Sequence, residues 1–226
     1  MLFRSIVRNI DAPLARLKAK GVPVVTTGGA PVTLNAGGYK GRAVIVKDPD
    51  GHFIELRQPD PLPETTVAAT ENVIDARFGL TIADTDQTRK FYFDRLGFMG
   101  EVGSFISDKA VTDLMGTPGA QARITISVIP GSRVFVEFVE FKGIDRKPIN
   151  SRIQDSGSTR LQLTVRDIDV ALKTMTAAGG TVITTGTNGG PIELPGGLRA
   201  AVVRELNNLF LVPNARGQAP APRGGR

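Results

Sequence analysis

The chain of 226 residues has no cysteine, no tryptophan and a single histidine, His52. Without cysteine there are no disulfides and no thiolate metal centres. One imidazole cannot build the two-histidine, one-carboxylate site that usually holds iron for oxygen chemistry, so a single copy cannot assemble it. Aromatic residues are only 6% of the chain, and no basic stripe interleaves with them, so no nucleic-acid partner is expected. No apolar run reaches the length of a membrane-spanning helix, so no membrane partner is expected either. The net charge of +6 is carried by scattered Lys and Arg and by a Pro-, Gly- and Ala-rich tail at 214–226, which the composition predicts to be disordered. The chain opens on the strand-like Leu-Phe-Arg-Ser-Ile-Val and not on an export leader, which makes the cytoplasm the default compartment.

What the sequence does contain is a repeat. Val7–Gly28 returns without a gap as Val165–Gly186, with 11 of 22 positions identical. Repeated supersecondary units bury their faces by pairing, and paired copies form a cleft. The first copy predicts a strand at Leu2–Arg8, then a helix capped by Asp11 and stopped at Gly21, with Leu14 and Leu17 inward. A second strand is predicted at Val22–Thr27, a Gly/Pro-rich loop at Gly28–Gly38, and a hairpin of Gly41–Lys47 and His52–Arg57 closed by Asp48-Pro49-Asp50-Gly51. A second copy begins at Arg77–Ala83. It continues through a helix from Asp84 to Leu96, a short flap helix at Ser107–Met115, and a hairpin of Arg123–Ile129 and Val134–Phe141. In the third copy Asn207-Asn208 replaces Asp50-Gly51, and Asn tolerates the left-handed conformation of such a turn. The expected organisation is a β-α-β-β-β unit at 1–57, a linker at 58–74, a second unit at 75–142, a linker at 143–157, a third unit at 158–213, and the tail.

The run Asp48-Pro49-Asp50-Gly51-His52-Phe53-Ile54-Glu55-Leu56 resembles the closing hairpin of the vicinal oxygen chelate superfamily. Phe78-Gly79-Leu80-Thr81-Ile82-Ala83-Asp84, followed by Phe91-Tyr92 and Leu96-Gly97-Phe98, resembles its opening strand and helix. The stretch Leu114–Ala120 resembles a common insertion. That superfamily includes glyoxalase I, bleomycin-resistance proteins, extradiol dioxygenases and methylmalonyl-CoA epimerase. The resemblance implies an α+β fold of tandem βαβββ modules, three here, paired into half-open barrel sheets. It also implies a divalent metal in the cleft, held by a His near the start of each first strand and a Glu on each last strand. The opening-strand positions are Leu2, Arg77 and Arg160, and the last-strand positions are Glu55, Glu137 and Leu211. No ligand histidine remains, and Glu55 is the only ligand-type residue kept in the first unit. His52, in the turn, is expected to be structural.

The second and third units, adjacent in sequence, are expected to pair. Strand alternation then turns Arg77, Gly79 and Thr81 toward the cleft, with Arg160, Gln162 and Thr164 opposite. Guanidiniums repel a metal but bind carboxylate or phosphate in bidentate fashion. Two readings of Arg77, Arg160 and Glu137 stay open: a buried ion cluster, or a ligand-binding set that includes Thr81 and Gln162. Glu140 is the alternative to Glu137 if the register differs. The expected function is the binding of a small polar or anionic organic molecule without cofactor or metal. The alternatives are base catalysis by Glu137, or a metal-dependent lyase, isomerase or dioxygenase whose site is completed by a partner chain or a missing upstream module. The first unit lacks a partner on this reading, so a homo-oligomer through it is expected, or a fourth unit upstream of Met1.

Overall fold

The computed structural model describes residues 1–36 and 39–216; Gly37, Gly38 and the tail from Gly217 on lie outside the described residues. In chain order the elements are β1 (Leu2–Val7), α1 (Asp11–Ala19), β2 (Val32–Ala36), β3 (Tyr39–Lys47), β4 (Phe53–Pro59), β5 (Val73–Ile82) and α2 (Thr85–Arg89). A π-helical turn, Lys90–Arg95, extends α2. Then come β6 (Met99–Ile106), α3 (Lys109–Leu114), β7 (Gln121–Val128), β8 (Phe135–Lys142), β9 (Arg160–Thr164) and α4 (Ile168–Ala177). The last strands are β10 (Thr181–Val182), β11 (Ile192–Leu194), β12 (Leu198–Ala200), β13 (Val203–Arg204) and β14 (Phe210–Arg216). Two compact units result. One is Met1–Thr85 with Phe98–Lys147, and the other is Asp86–Gly97 with the chain from Pro148 onward.

The first unit holds an eight-stranded sheet ordered β2-β3-β4-β1-β5-β8-β7-β6. Strand β1 runs parallel to β4 and antiparallel to β5, and β5 runs parallel to β8. The first four strands and the next four are therefore joined through β1 and β5. This corrects the expected pairing of 75–142 with 158–213, because the edge of β5 is taken by β1. It also removes the reason for expecting an oligomer through 1–57. Side-chain alternation tells which face a residue takes but not which edge the backbone offers, so adjacency in sequence did not decide the pairing.

Period-two patterning divides the faces of this sheet. Val44 and Val46 pack with Val7, Leu56, Ile10 just before α1, and the α1 residue Leu14 on one face. Ala43 and Ile45 pack on the other with Leu34 and the α3 residues Val111 and Leu114. Fully burying each such aliphatic side chain is worth about 1.5–3 kcal/mol. The start of α1 is capped by Asn9, whose Oδ1 accepts from Asp11 N at 2.8 Å and Ala12 N at 3.2 Å. Asp11, expected to be the cap, is instead gripped by both terminal nitrogens of Arg42.

Two strand expectations change. Val22–Thr27 forms only an isolated bridge, Val24 to Val46, and β2 lies inside the segment expected to be a loop. Pro23 brings no N–H to a ladder, and the buried Thr26 hydroxyl replaces ladder bonds, accepting from Ile45 N at 2.8 Å and donating to Leu114 O at 3.0 Å. Strand β6 was not foreseen; Gly100 and Gly103 dilute its pattern, and a Cβ at either would sit within 2.3 Å of a β7 carbonyl. The flap helix exists as α3, with the Asp108 side chain accepting from Val111 N.

In the second unit β9 runs parallel to β14, whose other edge carries β12 and β13; β11 and β10 lie outermost. Asp167 caps α4, accepting from Asp169 N and Val170 N. Asp169 is held by both terminal nitrogens of Arg199, which repeats the Asp11–Arg42 pair. Residues 214–216, placed in the tail by composition, are the end of β14. Asn208 takes φ 63°, as the turn requires, where Gly51 takes 90°. Leu2 pairs with Phe53 and Arg4 with Glu55, whereas Arg160 pairs with Phe210 and Gln162 with Val212. The counterpart of Glu55 is therefore Val212 and not Leu211. Among the described residues no helix is long and apolar enough to cross a membrane.

Candidate functional site

Arg4, on β1, lies directly between two strands that carry candidate residues. It pairs in register with Glu55 on β4 and with Arg77 on β5. One strand further, Gly79 pairs with Glu137 on β8. Because Gly79 has no side chain, nothing on β5 stands in that row between β1 and Glu137. The Arg4 guanidinium reaches across this gap. Its Nε donates to Glu55 Oε2 at 2.9 Å, and a terminal nitrogen donates to Glu137 Oε1. Arg57 donates from Nε to the other Glu55 oxygen at 2.6 Å. Arg4, Glu55 and Glu137 are 4%, 1% and 4% exposed.

The cluster is electrostatically self-consistent. Burial opposes the charge of Arg4, but the attraction of Glu55 and Glu137 and the hydrogen bonds to them outweigh it, and its pKa lies above the ordinary value. Burial likewise works against the Glu55 carboxylate, and Arg4 and Arg57 overcome it, so its pKa is lowered. Tyr39 is pushed up to about 12, chiefly by burial, with Arg57 opposing; its hydroxyl stays protonated and donates to Arg42 O.

Beside the cluster opens a cavity of about 360 Å³ within the first unit. It is lined by Arg4, Ile6, Tyr39, Arg57, Ile74, Asp75 and Arg77, by Pro59 at the end of β4, and by Pro61, Pro63, Glu64 and Thr65 of the segment between β4 and β5. That segment is tied down by Arg8, which donates to Val67 O and Glu71 O. Arg57 stacks on the Tyr39 ring at 4.4 Å, and Arg77 on the Phe135 ring at 4.6 Å. Arg77 holds Asp75 loosely, Nε to Oδ2 at 3.4 Å. Neither Arg57 nor Arg77 makes a further hydrogen bond among the described residues, so their terminal N–H groups remain available to a ligand.

The predicted residues are thus only partly brought together. Arg77 and Glu137 belong to this face of the first sheet. Arg160 and Gln162 lie on β9, in the other sheet, and both are exposed. Thr81 is exposed on β5. Glu140 projects from the opposite face of the unbroken strand β8. There it accepts from Thr85 N and Oγ1 and from Arg123, and these bonds outweigh burial and lower its pKa. His52 sits in the hairpin turn, where its Nδ1 lies 3.4 Å from Asp48 and its ring meets Phe3 edge-on. Arg4, Tyr39 and Arg57 were missed. The signal for Arg4 was present, since it shares the period-two face of Leu2 and stands alone as a cation between the apolar Leu2 and Ile6.

No family model matches the sequence, and no curated protein matches it either. Solved structures do match in fold. A glyoxalase family protein from Bacillus cereus superposes with a TM-score of 0.57 at 16% identity, covering 66% of this chain and 98% of its own. Glyoxalase I from Zea mays gives a TM-score of 0.61 at 15% identity, covering 96% of this chain and 67% of its own. The present chain spans about two thirds of the maize enzyme. The fold is that of the glyoxalase/bleomycin-resistance/dioxygenase superfamily, with an α+β architecture and a curled half-barrel sheet.

The residues present do not fit a divalent metal at the superfamily position. Leu2 offers hydrocarbon and Arg77 a positive charge where donors are required. The two carboxylates, Glu55 and Glu137, are already paired with guanidiniums, Arg4 bridging both and Arg57 holding Glu55. Among the described residues no group of three His, Cys, Asp or Glu side chains converges.

Proposed function

We propose, on the premise of a vicinal oxygen chelate fold, that this chain binds a small organic anion in the cavity of its eight-stranded sheet and does so without a metal. The observation that carries the reading is the division of labour among the arginines. Arg4 bridges the two buried glutamates and the Nε of Arg57 completes their charge balance at Glu55, which leaves the terminal N–H groups of Arg57 and Arg77 unused at the cavity wall. Guanidiniums stacked on aromatic rings are pre-oriented for a carboxylate or a phosphate, and the terminal nitrogens present a fork. Ile6, Ile74 and the prolines supply an apolar wall, so the ligand that fits is an anion carrying a compact hydrocarbon part. The volume lies within the range of small-molecule sites. Glu137 is committed to Arg4 and buried, which favours binding over general-base catalysis.

A thermal-shift screen of small carboxylates, phosphates and phosphonates, repeated on Arg77→Gln, tests the reading. Arg77 is partly exposed and its one ion pair is loose, so basal stability is expected to change little while ligand-induced stabilisation falls at least tenfold in apparent affinity. A panel that never stabilises the wild type, or stoichiometric transition metal in the purified protein, defeats it.

A further inference from the structure

The cavity beside Arg4 is not lined by cations alone. Glu64, on the segment between β4 and β5, and Asp75, on β5, also line it. With its floor counted, three guanidiniums (Arg4, Arg57 and Arg77) stand against four carboxylates (Glu55, Glu137, Glu64 and Asp75). Arg4 and Arg57 balance the two buried glutamates, and Arg77 has one loose partner, Asp75, at 3.4 Å. Asp75 is also partly committed within its own strand, where its Oδ1 accepts from Ala76 N at 2.8 Å. Glu64 is the carboxylate left over. It is exposed and makes no hydrogen bond or ion pair among the described residues.

The segment that carries Glu64 is anchored on both sides. Asp60 N donates to Lys40 O at 3.0 Å on one side. On the other, Arg8 donates to Val67 O and Glu71 O, Asn9 N donates to Asn72 Oδ1, and Asn72 Nδ2 donates to Asn9 O. Pro61 and Pro63 restrict the backbone leading to Glu64, and the Thr65 hydroxyl just after it accepts from Val67 N at 3.1 Å. A carboxylate without a cation is thus held at the cavity on backbone that needs little further ordering when a ligand arrives. Unused donors of Arg57 and Arg77 and an unused acceptor share one compact space. A simple anion would satisfy the donors and leave the excess negative charge in place. An anion that also carries an ammonium group satisfies both.

We propose that the ligand of this cavity is a zwitterion, an α-amino acid with a compact apolar side chain, whose carboxylate takes the arginine donors and whose ammonium takes Glu64. The inference rests on the anion-binding reading above and adds Glu64 to it as the residue that determines specificity. Ile6, Ile74 and the prolines meet the apolar side chain, and the volume of about 360 Å³ suits a compound of this size. A distinctive order of preference follows. The neutral zwitterion binds more tightly than the anion with the same hydrocarbon part, although the anion carries more of the charge that arginine attracts.

Isothermal titration calorimetry at pH 7.5 with matched probes reads that order. The probes are L-valine and L-leucine, isovalerate and isocaproate, which are the same compounds without the amino group, and isoamylamine, which is leucine without the carboxylate. Each amino acid is expected to bind about tenfold more tightly than its matched carboxylate, the effect of one charge-assisted hydrogen bond, and isoamylamine is expected not to bind. Glu64→Gln changes an exposed, unpaired side chain and is expected to keep the wild-type circular dichroism and Tm. In this variant the amino acids are expected to weaken about tenfold, and the carboxylates to tighten, because the charge that repels them is gone. A wild type that binds isocaproate as tightly as leucine and isovalerate as tightly as valine overturns the zwitterion and leaves the anion-binding reading standing. Amino-acid binding that Glu64→Gln does not weaken overturns the role of Glu64. Isoamylamine binding as tight as that of leucine, or a wild type that binds none of the amino acids and carboxylates, defeats the anion-binding reading and this inference with it.

Discussion

Replacing Arg4 by methionine keeps the length of the side chain and removes its charge and its donors. Glu55 would retain Arg57, but Glu137 would lose the cation that neutralises it in a site 4% exposed. Two unit charges about 4 Å apart attract by about 4 kcal/mol at an effective dielectric of 20, and desolvation of the ions offsets much of this in the intact cluster. Removing one partner leaves the desolvation uncompensated, and such deletions cost about 3–5 kcal/mol. Urea unfolding of the first unit at pH 7.5 is expected to show a loss of that size. Lysine is expected to recover only part of it, since a point charge cannot span two carboxylates as a planar fork does. The sign of the pH dependence follows from Glu55, whose folded pKa is depressed. Its contribution is present above the unfolded carboxylate value of about 4.3 and is lost as pH falls through the folded value. Arg4→Met reduces that contribution, because Glu55 loses one of the two cations that hold its pKa down. The gap between wild type and variant therefore narrows on acidification. A loss under 1 kcal/mol at pH 7.5, or a gap that widens toward pH 4, refutes the account; recovery in Arg4→Met, Glu137→Gln supports it.

The same geometry predicts a change in metal response. EDTA and millimolar Mn²⁺ or Zn²⁺ are expected to leave the wild-type Tm unchanged, whereas Arg4→Ala, with Glu137 released and Glu55 held by Arg57 alone, is expected to gain a few °C with Mn²⁺; equal stabilisation of both proteins would contradict the role given to Arg4. Thr26→Val is expected to lose about 2–3 kcal/mol, because it leaves the Ile45 N–H and the Leu114 C=O buried without their partner. Hydrogen exchange at the Ile45 amide, which should speed up with the loss of that bond, checks it.

The face assignments were legible because period two is a local property. Arg77, Gly79 and Glu137 could be placed on one side of their strands from the sequence, as could Leu80 and Ile82 on the other. Pairing of copies was not legible. It depends on backbone edges, and β1 and β5 meet across a proline-bearing segment that reads only as a linker. Pairing by adjacency in sequence places Arg160 in a site it does not share, and Arg4 stands two residues past Leu2, the opening-strand position that the resemblance singles out. The Leu211 assignment failed by a single residue. The turn match of Asn207-Asn208 to Asp50-Gly51 itself carries Glu55 to Val212, and the strand register, Gln162 opposite Val212, agrees. Strand β2 was hidden because glycine and proline around it signal a loop, whereas its hydrogen bonds are set by β3.

The difference between the two joined halves of the sheet explains why one arginine suffices. Arg4 pairs with Glu55 as Gly79 pairs with Glu137, so with the two glutamates matched Arg4 corresponds to Gly79 and Leu2 to Arg77. A second arginine at Gly79, which pairs with Glu137, would put another guanidinium beside that of Arg4, and the positive charge of Arg57 is already at Glu55. With glycine at that position the charges near the cluster stay close to balance, and the space above β5 is left to the long Arg4 side chain. A Cβ at Gly79 would meet nothing nearer than 3.6 Å, so alanine fits, whereas any longer side chain would have to share the path of the guanidinium. The asymmetry between the halves, more than either half alone, lets Arg4 bridge two carboxylates that Arg57 helps to balance, so that they form a neutral floor. That floor leaves Arg57 and Arg77 as the groups with donors to spare.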